Sequence, residues 1–188
     1  MIVWIIVVVV VVVVALLAAV AVPAMRRRRL QQQFGTEYER TVGETGDRRA
    51  AEQDLRERAQ RRRELEIRPL EPAARDAYAE RWRGAQERFV DAPGDAVAQA
   101  DVLVQQVMRE RGYPVGDFEQ QARDVSVDHG DVVHEYHAAH EISVLNDGGH
   151  ASTEQLREAM VHYRTLFAEL LDDGSTTGRE DVRDQPAR

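Results

Sequence analysis

Imidazoles are the side chains in this sequence best suited to chemistry. Six histidines are present, four of them between His129 and His140, and residues 134–141 read His-Glu-Tyr-His-Ala-Ala-His-Glu. Imidazole and carboxylate are donors that zinc and related ions accept. A zinc-protease helix needs His-Glu-x-x-His, with both imidazoles one turn apart on one face; here His134 and His137 are one residue too close. No Glu-x-x-His pair of the di-iron bundle type occurs either. Projected on a helix at about 100° per residue, His134, His137 and Glu141 fall within roughly 60° of one another, away from the apolar side marked by Val132 and Tyr136. These three are the candidate metal ligands, and the same arrangement also describes a solvated helix face. His140 projects toward the apolar side, as a hydrogen-bonded, partly buried histidine. His162 lies at the edge of a polar face and reads as structural. Clustered imidazoles also allow a response to pH near neutrality.

Other catalytic sets are missing. Cysteine is absent, which removes thiolate nucleophiles, disulfides and cysteine-bound metal clusters. Every basic residue is arginine, so there is no Schiff-base lysine and no P-loop lysine. The four serines, Ser126, Ser143, Ser152 and Ser175, stand outside any Gly-x-Ser-x-Gly setting. Asp128 and Asp131 flank His129 as a conceivable acid/base pair, but they fit better as helix-start residues. The sequence therefore leans away from an enzyme. It indicates no cofactor, no catalytic residue and no firm metal site.

The elements that would position these groups divide by composition. Residues 1–22 carry no charged side chain and are mostly Val, Ile, Ala and Leu. As a helix rising about 1.5 Å per residue they would extend roughly 33 Å, enough for a hydrocarbon core of about 30 Å. Arg26, Arg27, Arg28 and Arg29 follow. The positive-inside rule then predicts an N-terminus outside, the rest in the cytoplasm, and the four arginines at anionic lipid headgroups. Cleavage as a signal peptide, with an extracytoplasmic or secreted product, is the alternative; it lacks a basic residue ahead of the apolar run.

Charge is split along the rest of the chain. From Arg26 to Arg68 thirteen arginines face nine acids, a net +4. From Pro69 to Arg188 twelve arginines face twenty-four acids, a net −12, which gives the overall −8. An acidic domain is a poor nucleic-acid ligand, so no nucleic-acid partner is expected.

The reading is an all-α chain: a transmembrane anchor at 1–23, a basic, partly helical spacer at 24–69, an acidic bundle of about five helices at 70–172, and a disordered tail at 173–188. In the spacer, Thr36 with Glu39 suggests a capping box, and Asp47 an N-cap for a helix from Arg48 to Glu66. That helix is polar nearly all round and leans on Glu52–Arg56, Asp54–Arg58 and Glu57–Arg61 pairs. It reads as a solvated spacer, with a weak coiled coil as the other option. In the bundle, Tyr78, Trp82, Ala85 and Phe89 make one stripe. Val97, Ala100, Val104 and Val107 make a second, ended by Gly112. Phe118, Ala122 and Val125 mark a third helix, and Tyr136 with Ala139 a fourth. The fifth opens on a Ser152/Gln155 capping box and carries Leu156, Ala159, Met160, Tyr163, Phe167 and Leu170 on one side.

Three stretches carry a resemblance: 109–119 (Arg-Glu-Arg-Gly-Tyr-Pro-Val-Gly-Asp-Phe-Glu), 125–129 (Val-Ser-Val-Asp-His) and 159–164 (Ala-Met-Val-His-Tyr-Arg). In them the chain resembles a family of bacterial single-pass membrane proteins that have no assigned activity. The resemblance implies an apolar start, a charged spacer and a helical end, and no reaction. Together these readings lead to a membrane-anchored interaction or scaffold module that binds a protein partner. A metal-binding protein built on the histidine-rich helix and an accessory subunit of a membrane complex are the alternatives.

Overall fold

The computed structural model describes Trp4, residues 21–22 and residues 24–172. The described residues form eight helices and no strand. The helical stretch at residues 24–34 is α1. It is followed by α2 (Thr36–Thr45), α3 (Arg48–Glu64), α4 (Pro72–Arg88), α5 (Pro93–Arg111), α6 (Phe118–Ser126), α7 (Val133–Asp147) and α8 (Thr153–Leu171).

This corrects the expected anchor, spacer and bundle of about five helices. Among the described residues no helix is long and apolar enough to cross a membrane. That finding overturns the membrane-spanning helix, the single-pass assignment and the N-out topology. The apolar stretch behind them lies, apart from Trp4 and residues 21–22, outside the described residues. The tail expected at 173–188 lies outside them as well.

The larger core is built from α4, α5, α7 and α8. Helix α8 packs on α5 and α7, and α4 packs on α5. Trp82 stacks on Phe167 with ring centroids 4.5 Å apart. Val97, Leu103, Val104, Val107, Leu166 and Leu170 are fully buried around them. Their stripes recur at three and four residues, so each helix presents one apolar face. Core tyrosines place their hydroxyls on polar groups of neighbouring helices, as buried phenols require. Tyr136 donates to Gln121 Oε1 at 2.9 Å, Tyr163 to Asp101 Oδ1 at 3.0 Å, and Tyr78 to Glu110 Oε2 at 2.7 Å.

Local signals explain most boundaries. Ser152 and Gln155 form the reciprocal capping box at the start of α8. Asp117 caps α6 by accepting from the Gln120 amide at 3.0 Å, and Asp47 caps α3 by accepting from the Arg49 amide at 2.8 Å. Gly112 ends α5 at φ 100°, a left-handed conformation that suits glycine. The box expected at Thr36 and Glu39 does not form. Gly35 stands at that N-cap without a side-chain bond, and the Thr36 hydroxyl reaches the Gly130 carbonyl instead. Asp128 and Asp131 do not cap α7 either, whose N-cap is Val132.

A second, smaller core joins Leu30 and Phe34 of α1, Tyr38 of α2, Leu55 and Ala59 of α3, and Val127 after α6. Helix α3 is therefore packed, not a solvated rod: Ala51 and Leu55 are fully buried. Its apolar positions are few, but they recur at intervals of four, and three residues of that spacing suffice for one narrow contact face.

Candidate functional site

Helix α7 carries the histidine run, and its surroundings decide what the imidazoles can do. Phe118, at the start of α6, lies against this face. The His140 ring stacks on it with centroids 3.6 Å apart, and the His137 ring meets it edge-on at 5.2 Å. His134 is exposed, with Nε2 3.3 Å from Glu135 Oε1. Glu141 is exposed further along the helix. Among the described residues no group of three histidine, cysteine, aspartate or glutamate side chains is disposed to hold a metal ion. His134, His137 and Glu141 share a face in projection, yet the structure gives them different neighbours.

The reason is visible around His137. It faces Glu37, Arg40 and Glu44 of α2, Arg58 of α3, and Glu119 and Arg123 of α6. Burial and then the Arg40 guanidinium push its pKa down to about 4. The α2 carboxylates beside it are already engaged, Glu37 by Arg58 and Glu44 by Arg40, so this neutral imidazole is poorly placed to share a further cation with them.

The other histidines serve the framework. His162 Nδ1 meets Glu135 Oε2, which ties α8 to α7. His129 is buried, its Nδ1 lies 3.4 Å from Glu169 Oε1, and its Nε2 has no hydrogen-bond partner. Burial lowers its pKa, and the Glu169 carboxylate opposes that shift. The hydroxyls are likewise occupied: Ser126 donates to the Arg123 carbonyl and Ser152 caps α8.

The most developed polar arrangement was not singled out by the sequence. Arginines of α3 meet carboxylates across the junction of the two cores. Arg58 Nη1 lies 2.9 Å from Glu37 Oε1, and Arg61 Nε lies 2.9 Å from Asp124 Oδ1. Arg62 pairs with Asp128, which also accepts from the Tyr113 hydroxyl at 2.6 Å. Asp128, weighed earlier as half of an acid/base pair, is thus a docking acid for α3. A signal did exist: Asp124 and Asp128 repeat at four residues, as Arg58 and Arg62 do. Nothing in one sequence, however, pairs two such rows.

Among the described residues, two surface hollows beyond the one lined by Thr36, Glu37, Arg40 and His134 are open to a ligand. Between α4 and α8, Phe89, Met160 and Val161 line an apolar groove of about 160 Å³, rimmed by Gln86, Arg157 and Arg164. Between α1 and α3 lies a cleft of about 340 Å³ with arginines on both walls. Of the four arginines assigned to headgroups, Arg26 and Arg29 line that cleft. Arg27 turns toward the Tyr38 hydroxyl, and Arg28 is exposed. No protein-family model, no curated protein and no solved structure matches this chain, so the family resemblance drawn from its three stretches is not tested by them.

Proposed function

We propose that this chain is a helical interaction module that binds a protein partner, and that the groove between α4 and α8 receives it. The groove is the observation that carries this reading. Val161 is 41% exposed in it, beside the adaptable Met160, and Val90, next to Phe89, is 83% exposed. Arg164 on its rim makes no ion pair among the described residues. An apolar trough with a basic rim, on a segment that is acidic overall, fits an amphipathic helix with a few apolar anchors and acidic flanks. Such a partner would be steered to the rim at Arg164.

The reading is tested with a photo-crosslinking residue in place of Val161 in the full-length chain, inside cells that express it. The expected result is one discrete adduct whose linked peptide is an acidic amphipathic helix, lost in Arg164→Glu. It is restored when the facing acid of the partner is changed to arginine. An adduct pattern no different from that of a crosslinker at exposed Glu119 overturns the proposal. An adduct solely with a second copy of this chain replaces partner binding by self-association.

A further inference from the structure

The cleft between α1 and α3 carries a separate inference. Arg26 and Arg29 line one wall, one turn apart on α1, while Arg56 and Arg63 line the other, two turns apart on α3. No carboxylate contributes to the lining. The floor is Leu30 and Ala59, both buried in the smaller core. Gln33 and Gln60 add amide donors.

The arginines of α3 divide sharply by direction. Arg58, Arg61 and Arg62 are engaged with Glu37, Asp124 and Asp128 on the inner side. Of the four in the cleft, Arg56 alone has a carboxylate among the described residues, Glu52 at 3.3 Å, and Glu52 also accepts from the Tyr38 hydroxyl. Arg26, Arg29 and Arg63 have none. Four guanidiniums around one hollow repel one another until an anion enters. An apolar floor keeps water from screening that charge from below. A guanidinium fork engages two oxygens at once, on a carboxylate or a phosphate. A phosphate-bearing anion offers oxygens and charge enough for several forks, whereas a single carboxylate has two oxygens and a halide has none. A volume of about 340 Å³ sits at the small end of ligand sites, which run from roughly 300 to 1,000 Å³.

We propose that this cleft binds a phosphate-bearing anion carrying more than one negative charge, held between Arg26 and Arg29 on one side and Arg56 and Arg63 on the other. The phosphate belongs either to a free small molecule of the pyrophosphate type or to a lipid headgroup; the chemistry recognised is the same.

The test uses the full-length chain and the variant Arg29→Gln/Arg63→Gln, whose altered side chains are exposed and have no ion pair among the described residues; the fold is expected to be retained and is checked by circular dichroism. Pyrophosphate is titrated calorimetrically at low salt. In parallel, retention on phosphatidylcholine vesicles with and without phosphatidic acid is compared. Saturable pyrophosphate binding, weakened by about tenfold for each guanidinium removed, establishes the site with a free ligand. Extra retention on the phosphatidic acid vesicles, lost in the variant and without pyrophosphate binding, establishes it with a headgroup. Absence of both signals in the wild-type chain overturns the proposal, as does equal binding by the variant.

Discussion

Arg58 and Glu37 form an ion pair that little water reaches: Nη1 and Oε1 are 2.9 Å apart, and the side chains are 10% and 5% exposed. Arg58 also holds Asp54 at 2.6 Å and touches the Ser126 hydroxyl at 3.4 Å. One guanidinium thereby ties α2, α3 and the end of α6 together. Glu37 Oε2 has no hydrogen-bond donor, and Arg40 Nη1 stands 3.8 Å from it. A pair in this setting adds little net stability over apolar packing, but removing one partner strands the other.

Arg58→Met is accordingly expected to destabilise the chain by about 3 kcal/mol, because Glu37 is left buried without its cation. The double variant Glu37→Leu/Arg58→Met is expected to recover most of that loss. Urea unfolding of the two variants and the wild type checks it. A single variant no worse than the double would mean that the pair is not desolvated in solution.

Leu55→Ala probes whether α3 is packed. Leu55 is fully buried between α1, α2 and the segment after α6. Its truncation is expected to cost about 2–4 kcal/mol through lost burial and the cavity left behind. The amides of α3 should then exchange with solvent faster than those of α8, where the larger core is untouched. A free spacer helix would show no protection in the wild type and no change in the variant.

The larger core was legible because its helices write their packing into one strand of sequence. Tyr78, Trp82 and Phe89, or Leu156, Met160, Tyr163 and Phe167, repeat at helical intervals, and the Ser152/Gln155 box marks a start without reference to anything distant. The position of α1–α3 was not legible. Leu30 with Phe34, and Ala51 with Leu55 and Ala59, make only short, narrow stripes on otherwise polar helices, and their partner Val127 lies far along the chain. Charge was misleading in the same way: Arg58 and Arg61 read as partners of Asp54 and Glu57 along a solvated helix, and only the fold sets Glu37, Asp124 and Asp128 opposite Arg58, Arg61 and Arg62. The histidine run was visible, but its chemistry depends on Arg40 and Arg58, which come from other helices. Helical periodicity places His137 on a face and says nothing of what faces it.

Glycine substitutions separate contact from conformation. A Cβ at Gly130 would stand 2.4 Å from the Phe34 carbonyl oxygen, a backbone atom that cannot step aside. Gly130→Ala is expected to destabilise by about 2 kcal/mol and to loosen α1 and α2 from the bundle. Gly84, inside α4, has open space around it. Gly84→Ala is expected to stabilise by up to about 1 kcal/mol through helix propensity. Thermal melts of the two single variants should move in opposite directions; a shared direction would refute the close approach of Gly130 to Phe34.

His137 gives the fold a dependence on acid. Its folded pKa, about 4, is below the unfolded value of 6.5 because burial and Arg40 disfavour the imidazolium. Between these values the unfolded chain binds the proton that the folded chain refuses, so stability rises with pH across the window. The contribution is fully present above about 6.5 and is lost progressively as pH falls toward about 4. Glu44 opposes this shift, while Arg58 and His140 reinforce it. His129 is displaced in the same direction, so the wild type should lose stability to both. His137→Gln keeps a polar side chain that does not titrate. Its stability, followed by urea unfolding from neutral pH to pH 4, should fall less steeply than that of the wild type. Parallel curves for the two proteins would place His137 in solvent, away from Arg40 and Phe118.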